Sequence, residues 1–373
     1  MEVINHGTWK FERNKSKLTY KLDTDTVDDK CFKYEETESF DSADNDFKKA
    51  AMVHKIVRNS VRDMLKENTK IKDIVTHAED MILKLYRHNR DTYFTQLCTD
   101  GLAFPVGVSV NNVAAHDSAL LNDDRYLEYG DVVKIDFGVH QNGHIIDSAF
   151  THIVGEKEQD SIYENLLEAS RDATYSAIAM SGPDTRILEM SELISEIISS
   201  YELPLDSGKD NNMRIVPVEG LGGHNILPYK IHGDKLILSV PDEKVQGDMK
   251  MEDGEIYAIE TYASTGSGTL SQPDSIHECS HFMLNSNTKS KRFLKKSNAY
   301  KAIKNRNGLP FTLSWCDQSL DKFNRDFKQA VTSHDIFVYP PLLDEPHSKV
   351  AQFEHTIRIR DGCVTVYSKG DDY

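Results

Sequence analysis

Apolar residues recur every three to four positions along two pairs of segments, a spacing that gives a helix one buried face. The spacing predicts amphipathic helices over residues 46–65, 71–85, 160–180 and 184–201. Ser181-Gly182-Pro183 separates the helices of the second pair, and Asp184 is predicted to cap the helix that follows. The chain therefore carries one helix pair early and a second pair near its middle.

Strand-like segments, with alternating or continuous apolar residues, follow each helix pair. They cover residues 132–139, 144–153, 236–240, 256–263, 353–360 and 363–367. This order of helices and strands predicts an α+β fold in which two halves wrap around a common sheet. Two regions interrupt the order. Residues 1–45 are predicted to form an irregular acidic arm, because the stretch 21–46 holds ten acids against three lysines, and residues 285–338 are predicted to form a helical insertion.

Composition argues against several classes of protein. The 373 residues include 44 Lys and Arg against 60 Asp and Glu, a net charge of −16, and phosphate affinity depends on clustered cations. Specific DNA binding is therefore not expected, and the basic run at 289–306 is interpreted as a solvated face, with ribosome or RNA contact as the alternative.

We also expect no membrane span and no secretory signal, because the chain lacks the apolar stretches that both require. The five cysteines show no CxxC spacing, which predicts a reducing, cytoplasmic location.

A predicted β-hairpin is the strongest local feature. Asn142-Gly143 is the preferred two-residue hairpin turn, and its register places Asp136 and Asp147 on one face of the hairpin. Such diagonal neighbours lie about 7–8 Å apart at Cα, close enough for two carboxylates to share one cation. A bare carboxylate in an apolar strand is costly, so metal binding and an ion pair with Lys134 or an arginine both remain open.

Three further residues of metal-binding type stand in strand-like or glycine-rich segments. Glu260 and Glu354 each interrupt an apolar strand, and His224 follows two glycines that allow close backbone approach. Each alone has an ordinary explanation, such as an ion pair or a satisfied core histidine. Together with Asp136 and Asp147 they form a donor set that suits Mn²⁺, Fe²⁺, Co²⁺ or Zn²⁺. Four carboxylates are enough to bridge two ions in a hydrolytic site.

Several short motifs follow one another from about residue 46 to residue 373. They include Gly101-Leu102-Ala103-Phe104-Pro105, Asn111-Asn112-Val113-Ala114-Ala115-His116, Lys134-Ile135-Asp136-Phe137-Gly138, Gly223-His224, Tyr257-Ala258-Ile259-Glu260-Thr261, Glu278-Cys279-Ser280-His281, Tyr339-Pro340-Pro341-Leu342 and Ala351-Gln352-Phe353-Glu354-His355-Thr356. In their residues and in their order these motifs resemble those of the type 2 methionine aminopeptidases, which are metallopeptidases of the pita-bread fold. The resemblance implies two pseudo-symmetric halves around a curved antiparallel sheet, formed by residues 46–284 and 339–373. It also implies that 285–338 is the helical insertion of type 2 enzymes.

The resemblance implies a site that holds two divalent metal ions. Asp136 would chelate one ion, and Asp147 and Glu354 would bridge both. His224 and Glu260 would complete the shell of the other ion, and Glu260 would also carry a proton to the leaving amine. A hydroxide activated by both ions would then attack the first peptide carbonyl.

The resemblance also implies a substrate pocket beside the metals. His116 would be the catalytic histidine near the scissile bond, and His232 would contact the substrate. The methionine side chain would be surrounded by Phe104, Ile231, His281, Tyr339 and Leu342. The implied activity is removal of the N-terminal methionine from nascent proteins and peptides, preferentially when the second residue is small.

Two alternatives remain from the sequence. A prolidase-type or X-Pro peptidase of the same fold shares the five ligands but usually carries a full N-terminal domain, whereas a non-catalytic, growth-associated RNA-binding relative would be expected to lose ligands. The chain also departs from the family text, because Asn225 follows His224 in place of serine and Pro228 is unusual, so we expect a different loop up to His232. The long N-terminal extension of animal and yeast relatives is missing, which leaves ribosome association open, and a monomer is predicted.

Overall fold

The computed structural model describes residues 9–10, 42–120, 122–204, 213–285, 287, 300–316 and 325–373. Its helices are α1 (Ser42–Arg62), α2 (Ile71–Leu85), α3 (Arg90–Tyr93), α4 (Glu164–Met180), α5 (Ile187–Ser199), α6 (Glu243–Gln246), α7 (Tyr300–Asn305) and α8 (Arg325–Thr332). Its strands are β1 (Trp9–Lys10), β2 (Asp100–Leu102), β3 (Gly107–Val110), β4 (Val113–Ala115), β5 (Val132–Gln141), β6 (His144–Ile153), β7 (Glu202–Leu203), β8 (Met213–Arg214), β9 (Val216–Pro217), β10 (Gly222–Ile226), β11 (Leu236–Leu238), β12 (Ile256–Ser264), β13 (His281–Leu284), β14 (Ile336–Tyr339), β15 (Leu342–Leu343), β16 (Val350–Arg360) and β17 (Cys363–Val366).

Most of the described strands belong to two antiparallel sheets, and the others form the two-stranded pairs β4-β15, β7-β8 and β13-β14. One of the two sheets has the order β2-β5-β3 with β6 on β5, and the other has the order β1-β17-β16-β12-β10-β11 with β9 on β12. Side chains join β6 to β16, since Ser148 Oγ donates to the Glu354 carbonyl and the Asp147 amide donates to Thr356 Oγ1, each over 2.7 Å. Small hydroxyl side chains thus connect the two halves at the level of the acidic residues.

Each helix pair covers the sheet of its own half. α1 packs on β5, β6 and α2, while α4 packs on β12, β16 and α5. Apolar residues of α1 such as Val57 are fully buried, and polar residues on α4 find partners, because Ser170 Oγ donates to the Thr261 carbonyl over 2.9 Å. Burial of these faces against the sheets is the main source of stability for such amphipathic helices.

Two helix starts differ from the sequence prediction. α1 begins at Ser42, inside the predicted arm, where Asp44 pairs with Lys48 one turn later at 2.6 Å and favours the helix N-terminus. The predicted cap at Asp184 is wrong. Asp184 has a φ of 64° in a left-handed turn, its amide donates to the Met251 carbonyl over 2.9 Å, and α5 begins only at Ile187.

The region 285–338 is partly described and contains more than helices. Besides α7, α8 and a 3₁₀ turn at Leu313–Trp315, it supplies β14, which pairs with β13. Residues 289–299 of the basic run and residues 11–41 of the acidic arm lie outside the described residues. β1, at the start of the arm, pairs with β17. Among the described residues, no helix combines the length and apolar character needed to cross a membrane.

Candidate metal centre and substrate pocket

The β5–β6 hairpin adopts the register that its turn predicts. Asn142 and Gly143 have φ values of 52° and 84°, as a type I′ turn requires, and Gly138 pairs with Asp147. Asp136 faces Ala149 two residues further along, so Asp136 and Asp147 are diagonal neighbours. The pairing predicted from the sequence is confirmed.

The other half of the molecule supplies the remaining acidic residues and the histidine. Glu260 on β12 is directly opposite Glu354 on β16, and His224 on β10 is opposite Ala258 of β12. Gly223 allows β10 to approach β12 this closely, since a Cβ there would lie 2.4 Å from the Ala258 carbonyl oxygen. Three neighbouring strands thus carry one candidate ligand each.

The five candidate ligands converge across the junction between β6 and β16. Ligand atoms of Asp147, His224 and Glu354 lie within 4.8 Å of one another, and so do those of Asp136, Glu260 and Glu354. His224 Nε2 lies 3.7 Å from Asp147 Oδ2 and 3.8 Å from Glu260 Oε1. Glu354 belongs to both groups. The assignment of Asp147 as a second bridge and of Glu260 to the ion of His224 stays a prediction.

Burial and mutual repulsion oppose ionisation of the carboxyl groups. Burial raises the pKa of Asp136 to about 6, and burial together with the charge of Asp136 raises the pKa of Glu260 to about 8. The pKa values of Asp147 and Glu354 lie well above their usual range for the same reasons. Burial lowers the pKa of His224 to about 4, so its imidazole is neutral and can act as a ligand.

The residues fit a divalent metal ion. Asp136 Oδ1 and Glu354 Oε2 are buried without a hydrogen-bond partner among the residues described, a costly arrangement unless a cation binds them. Lys134, the ion-pair partner considered from the sequence, instead donates to the Asn111 carbonyl over 2.7 Å. Carboxylate oxygens with one neutral imidazole are the donors expected for a first-row divalent metal.

Two further residues hold the carboxylates in place, and sequence reasoning missed them. Gln352 Nε2 donates to Asp136 Oδ2 over 3.2 Å and to Glu260 Oε2 over 2.9 Å. The Tyr262 hydroxyl donates to Glu260 Oε2 over 2.6 Å. A signal was available, because Gln352 and Tyr262 each stand two positions from a candidate glutamate and therefore on the same face of its strand.

His116 lies at the end of β4, next to the metal centre but outside the five ligands. It has a φ of 65°, and its Nδ1 is buried without a hydrogen-bond partner among the described residues. Burial lowers the pKa of His116 to about 4, so the ring is neutral. Its ring centroid is 6.0 Å from that of His281 and 5.6 Å from that of Tyr339.

Each of the other predicted pocket residues contacts the metal hairpin, β4 or one of the histidines already described. The ring centroid of His232 is 4.0 Å from that of His224 and 6.4 Å from that of Tyr339. Phe104 covers Gly138 of the hairpin, where a Cβ would be 2.2 Å from Phe104 Cε1. The remaining contacts are His281 opposite Tyr339, Leu342 opposite Ala115, and the Ile231 backbone bonded to the His224 imidazole.

Known proteins resemble this chain over most of its length. The model of metallopeptidase family M24 matches residues 45–361. The chain is 38% identical over 335 residues to methionine aminopeptidase 2-2 of Ajellomyces capsulatus, covering 88% of this chain and 69% of that protein. Among solved structures, a thermophilic Arx1 gives a TM-score of 0.72 at 18% identity, covering 89% of this chain and 91% of that one. A methionine aminopeptidase of Thermotoga maritima gives a TM-score of 0.58 at 19% identity, and the match covers 88% of this chain and 97% of that one.

These matches establish the class of protein. The chain belongs to metallopeptidase family M24, and within it to the group of the methionine aminopeptidases 2, as the extent and identity of the match show. The resemblance read from the motifs is therefore confirmed, and so is the α+β pita-bread fold. The structural likenesses, at under 25% identity, support the fold alone.

Proposed function

We propose that this protein removes the N-terminal methionine from nascent proteins and peptides in a metal-dependent reaction. The observation that carries the proposal is the convergence of four carboxylates and His224 beside His116. The relatives at 38% identity are methionine aminopeptidases 2, and this chain carries the five candidate ligands and His116 that the resemblance implies. A preference for a small second residue is part of the proposal and rests on the family alone.

The proposed metal site uses five side chains of this chain. Asp136, Asp147, His224, Glu260 and Glu354 would hold two divalent ions, for which Co, Mn, Fe and Zn are all suitable. When bound, such ions supply a Lewis acid and an activated water at neutral pH. Gln352 and Tyr262 keep Glu260 oriented through its Oε2 atom. Its other carboxylate oxygen would carry both proposed roles of Glu260, as a metal ligand and as the group that moves a proton to the leaving amine.

His116 and His232 are proposed to act on the substrate. Both imidazoles are neutral because burial lowers their pKa values, so each offers one N–H donor and one acceptor. The His116 ring is hydrogen-bonded to the Pro340 backbone, and its N–H would stabilise the charge that develops on the first peptide carbonyl oxygen once it turns from Pro340 to the substrate. The methionine side chain would lie among Phe104, Ile231, His281, Tyr339 and Leu342.

The two alternative functions are not favoured. A prolidase-type or X-Pro peptidase is disfavoured by the relatives, which are methionine aminopeptidases 2 at 38% identity over 88% of the chain. A non-catalytic relative is disfavoured because Asp136, Asp147, His224, Glu260 and Glu354 are all present and converge.

Organisation, location and partners are also proposals. An acidic arm, a catalytic domain of residues 46–284 and 339–373, and an insertion of residues 285–338 remain the proposed division. The described cysteines are free, which supports a reducing cytoplasm. Nascent peptide N-termini are the proposed partners of a monomeric enzyme. Ribosome association through the basic run is tested by co-sedimentation of a charge-neutralised variant.

A peptide assay tests the proposed activity. Purified protein is stripped with chelator, reloaded with each metal in turn and given Met-Ala-Ser or an X-Pro peptide of equal length. We expect metal-dependent release of methionine and negligible cleavage of the X-Pro peptide. Cleavage of the X-Pro peptide in preference would establish the prolidase alternative, and failure with all four metals would reject both peptidase functions.

A further inference from the structure

Asn225, which follows His224 on β10, extends the pairing of β10 with β11 through its side chain. His224 and Leu236 are the last residues paired by the backbone ladder. At the next step the amide of Lys235 donates to Asn225 Oδ1 over 3.0 Å, while the Asn225 amide donates to the Lys235 carbonyl over 3.1 Å. A side-chain oxygen thus takes the place of a backbone carbonyl in the ladder.

This exchange frees the backbone carbonyl of Asn225 for a second contact. It accepts the amide of Gly233 over 2.7 Å, and Asn225 Nδ2 donates to Asp234 Oδ1 over 3.1 Å. The fit is close, since a Cβ on Gly233 would lie 2.0 Å from Asn225 Oδ1. One asparagine therefore holds three consecutive residues, 233–235, at the end of the loop.

His232 is the residue directly before this anchor. Its ring centroid is 4.0 Å from that of His224, the neighbour of Asn225 on the opposite side of the loop. The far end of the loop has its own support, because the Tyr229 amide donates to the Gly143 carbonyl over 3.0 Å. The position of His232 between these supports depends on the contacts made by Asn225.

We propose that Asn225 is a positioning residue that fixes His232 beside His224 in the substrate pocket, an inference that rests on the proposed function. The serine of the family text has a single polar atom close to the backbone, which cannot occupy the places of both Oδ1 and Nδ2. Asparagine at position 225 therefore sets the loop geometry particular to this chain. A shift of about 1 Å in a residue that contacts the substrate is enough to slow a reaction strongly.

A double-mutant cycle tests the inference. The variants are Asn225→Ala, His232→Ala and the double variant, with Asn165→Ala as the matched control. Asn165, a half-buried residue on α4, makes a solvent-exposed hydrogen bond in which Nδ2 donates to the Glu202 carbonyl over 2.7 Å. Metal content is equalised before kcat and KM for Met-Ala-Ser are measured. Hydrogen exchange of residues 233–235 and the ring signals of His232 in ¹⁵N-histidine NMR spectra are recorded on the same proteins.

We expect Asn225→Ala to lower kcat/KM about tenfold, as for loss of two hydrogen bonds, to speed exchange at residues 233 and 235, and to move the His232 ring signals. The substitution should add nothing in the His232→Ala background, because a residue that acts through His232 has no effect once His232 is gone. Asn165→Ala should leave these readouts unchanged. Should Asn225→Ala fail to fold, Asn225→Ser is used in its place.

Two results would overturn the inference. One is an Asn225 effect of equal size with and without His232, and the other is an unchanged His232 ring spectrum in the Asn225 variant. If the wild-type protein releases no methionine with any metal, the proposed function fails instead. The exchange rates and the histidine spectra then still decide whether Asn225 positions His232.

Discussion

Glu260 and Glu354 are paired directly opposite each other on the antiparallel strands β12 and β16. Like charges in this position destabilise a sheet, and here both side chains are also buried. Asp136 and Asp147 add two more carboxylates from the facing hairpin. The four carboxylates therefore repel one another in the metal-free protein, and bound divalent cations would turn this repulsion into attraction.

The first prediction concerns the metal-free protein. Glu260→Gln keeps an oxygen to accept from Tyr262 and Gln352 but removes a charge, so the variant should be more stable than the wild type without metal. The pKa of Glu260 is raised from its usual 4.5 to about 8, so wild-type stability falls as pH rises between these values. The difference in unfolding free energy between the variant and the wild type should therefore grow from pH 4.5 to 8. Above pH 8 it should level off at a few kcal/mol.

Urea unfolding of chelated protein at several pH values measures this difference. With metal added the order should reverse, because the variant has lost a ligand. A variant less stable than the wild type in the metal-free state across the whole pH range would contradict the argument.

Asp147→Ala should abolish methionine release and remove at least one metal ion. Ligand atoms of Asp147, His224 and Glu354 lie within 4.8 Å of one another, so these residues could share one ion. Loss of the Asp147 carboxylate leaves the cations with less compensating charge. Metal analysis and a peptide assay on the purified variant measure both effects. Asp248→Ala is the control, since that side chain is 98% exposed. Full metal content with wild-type turnover in Asp147→Ala would remove this residue from the site.

His116→Asn should separate catalysis from metal binding. We expect kcat to fall about 10²–10³-fold, as for loss of one donor to a developing oxyanion, with metal content unchanged. His77→Asn serves as the control, because His77 lies on α2 and contacts Ser60 over 2.7 Å. Loss of metal in the His116 variant would instead place this histidine among the ligands.

Arg306→Lys should weaken the attachment of the insertion to the pocket wall. The buried guanidinium donates to the Leu102 carbonyl over 2.6 Å and to Cys98 Sγ over 3.1 Å, and lies 4.9 Å from the Trp315 ring. Lysine cannot reproduce this forked geometry. We expect unfolding to become about 2 kcal/mol easier, as for loss of hydrogen bonds from a charged donor, and KM for Met-Ala-Ser to rise, since Leu102 is two residues from Phe104.

Thermal unfolding and steady-state kinetics test this prediction, with the exposed Arg360→Lys as control. An unchanged KM in a destabilised Arg306 variant would limit the role of Arg306 to stability.

Much of the metal hairpin could be predicted from the sequence, because its determinants are local. Asn142-Gly143 selects a turn with positive φ at both positions, and the two-residue period of a strand then places Asp136 and Asp147 on one face. The helix pairs were found for the same reason, since their apolar spacing is a property of neighbouring residues. The roles of His116 and His232 came from the resemblance to a family, not from local pattern.

Other features depended on contacts between distant parts of the chain. The convergence of Glu260 and Glu354 with the hairpin is decided where β6 meets β16, through hydrogen bonds of Ser148 and Thr356 that have no local signature. The same is true of Asp184, whose turn is set by the carbonyl of Met251, and of β14, which pairs with β13 across the insertion. Sequence by itself determined most of the helices and strands around the site, the hairpin turn and the kinds of ligand available. The tertiary structure decided which of these residues meet, because long-range packing and hydrogen bonding join segments that no local pattern relates.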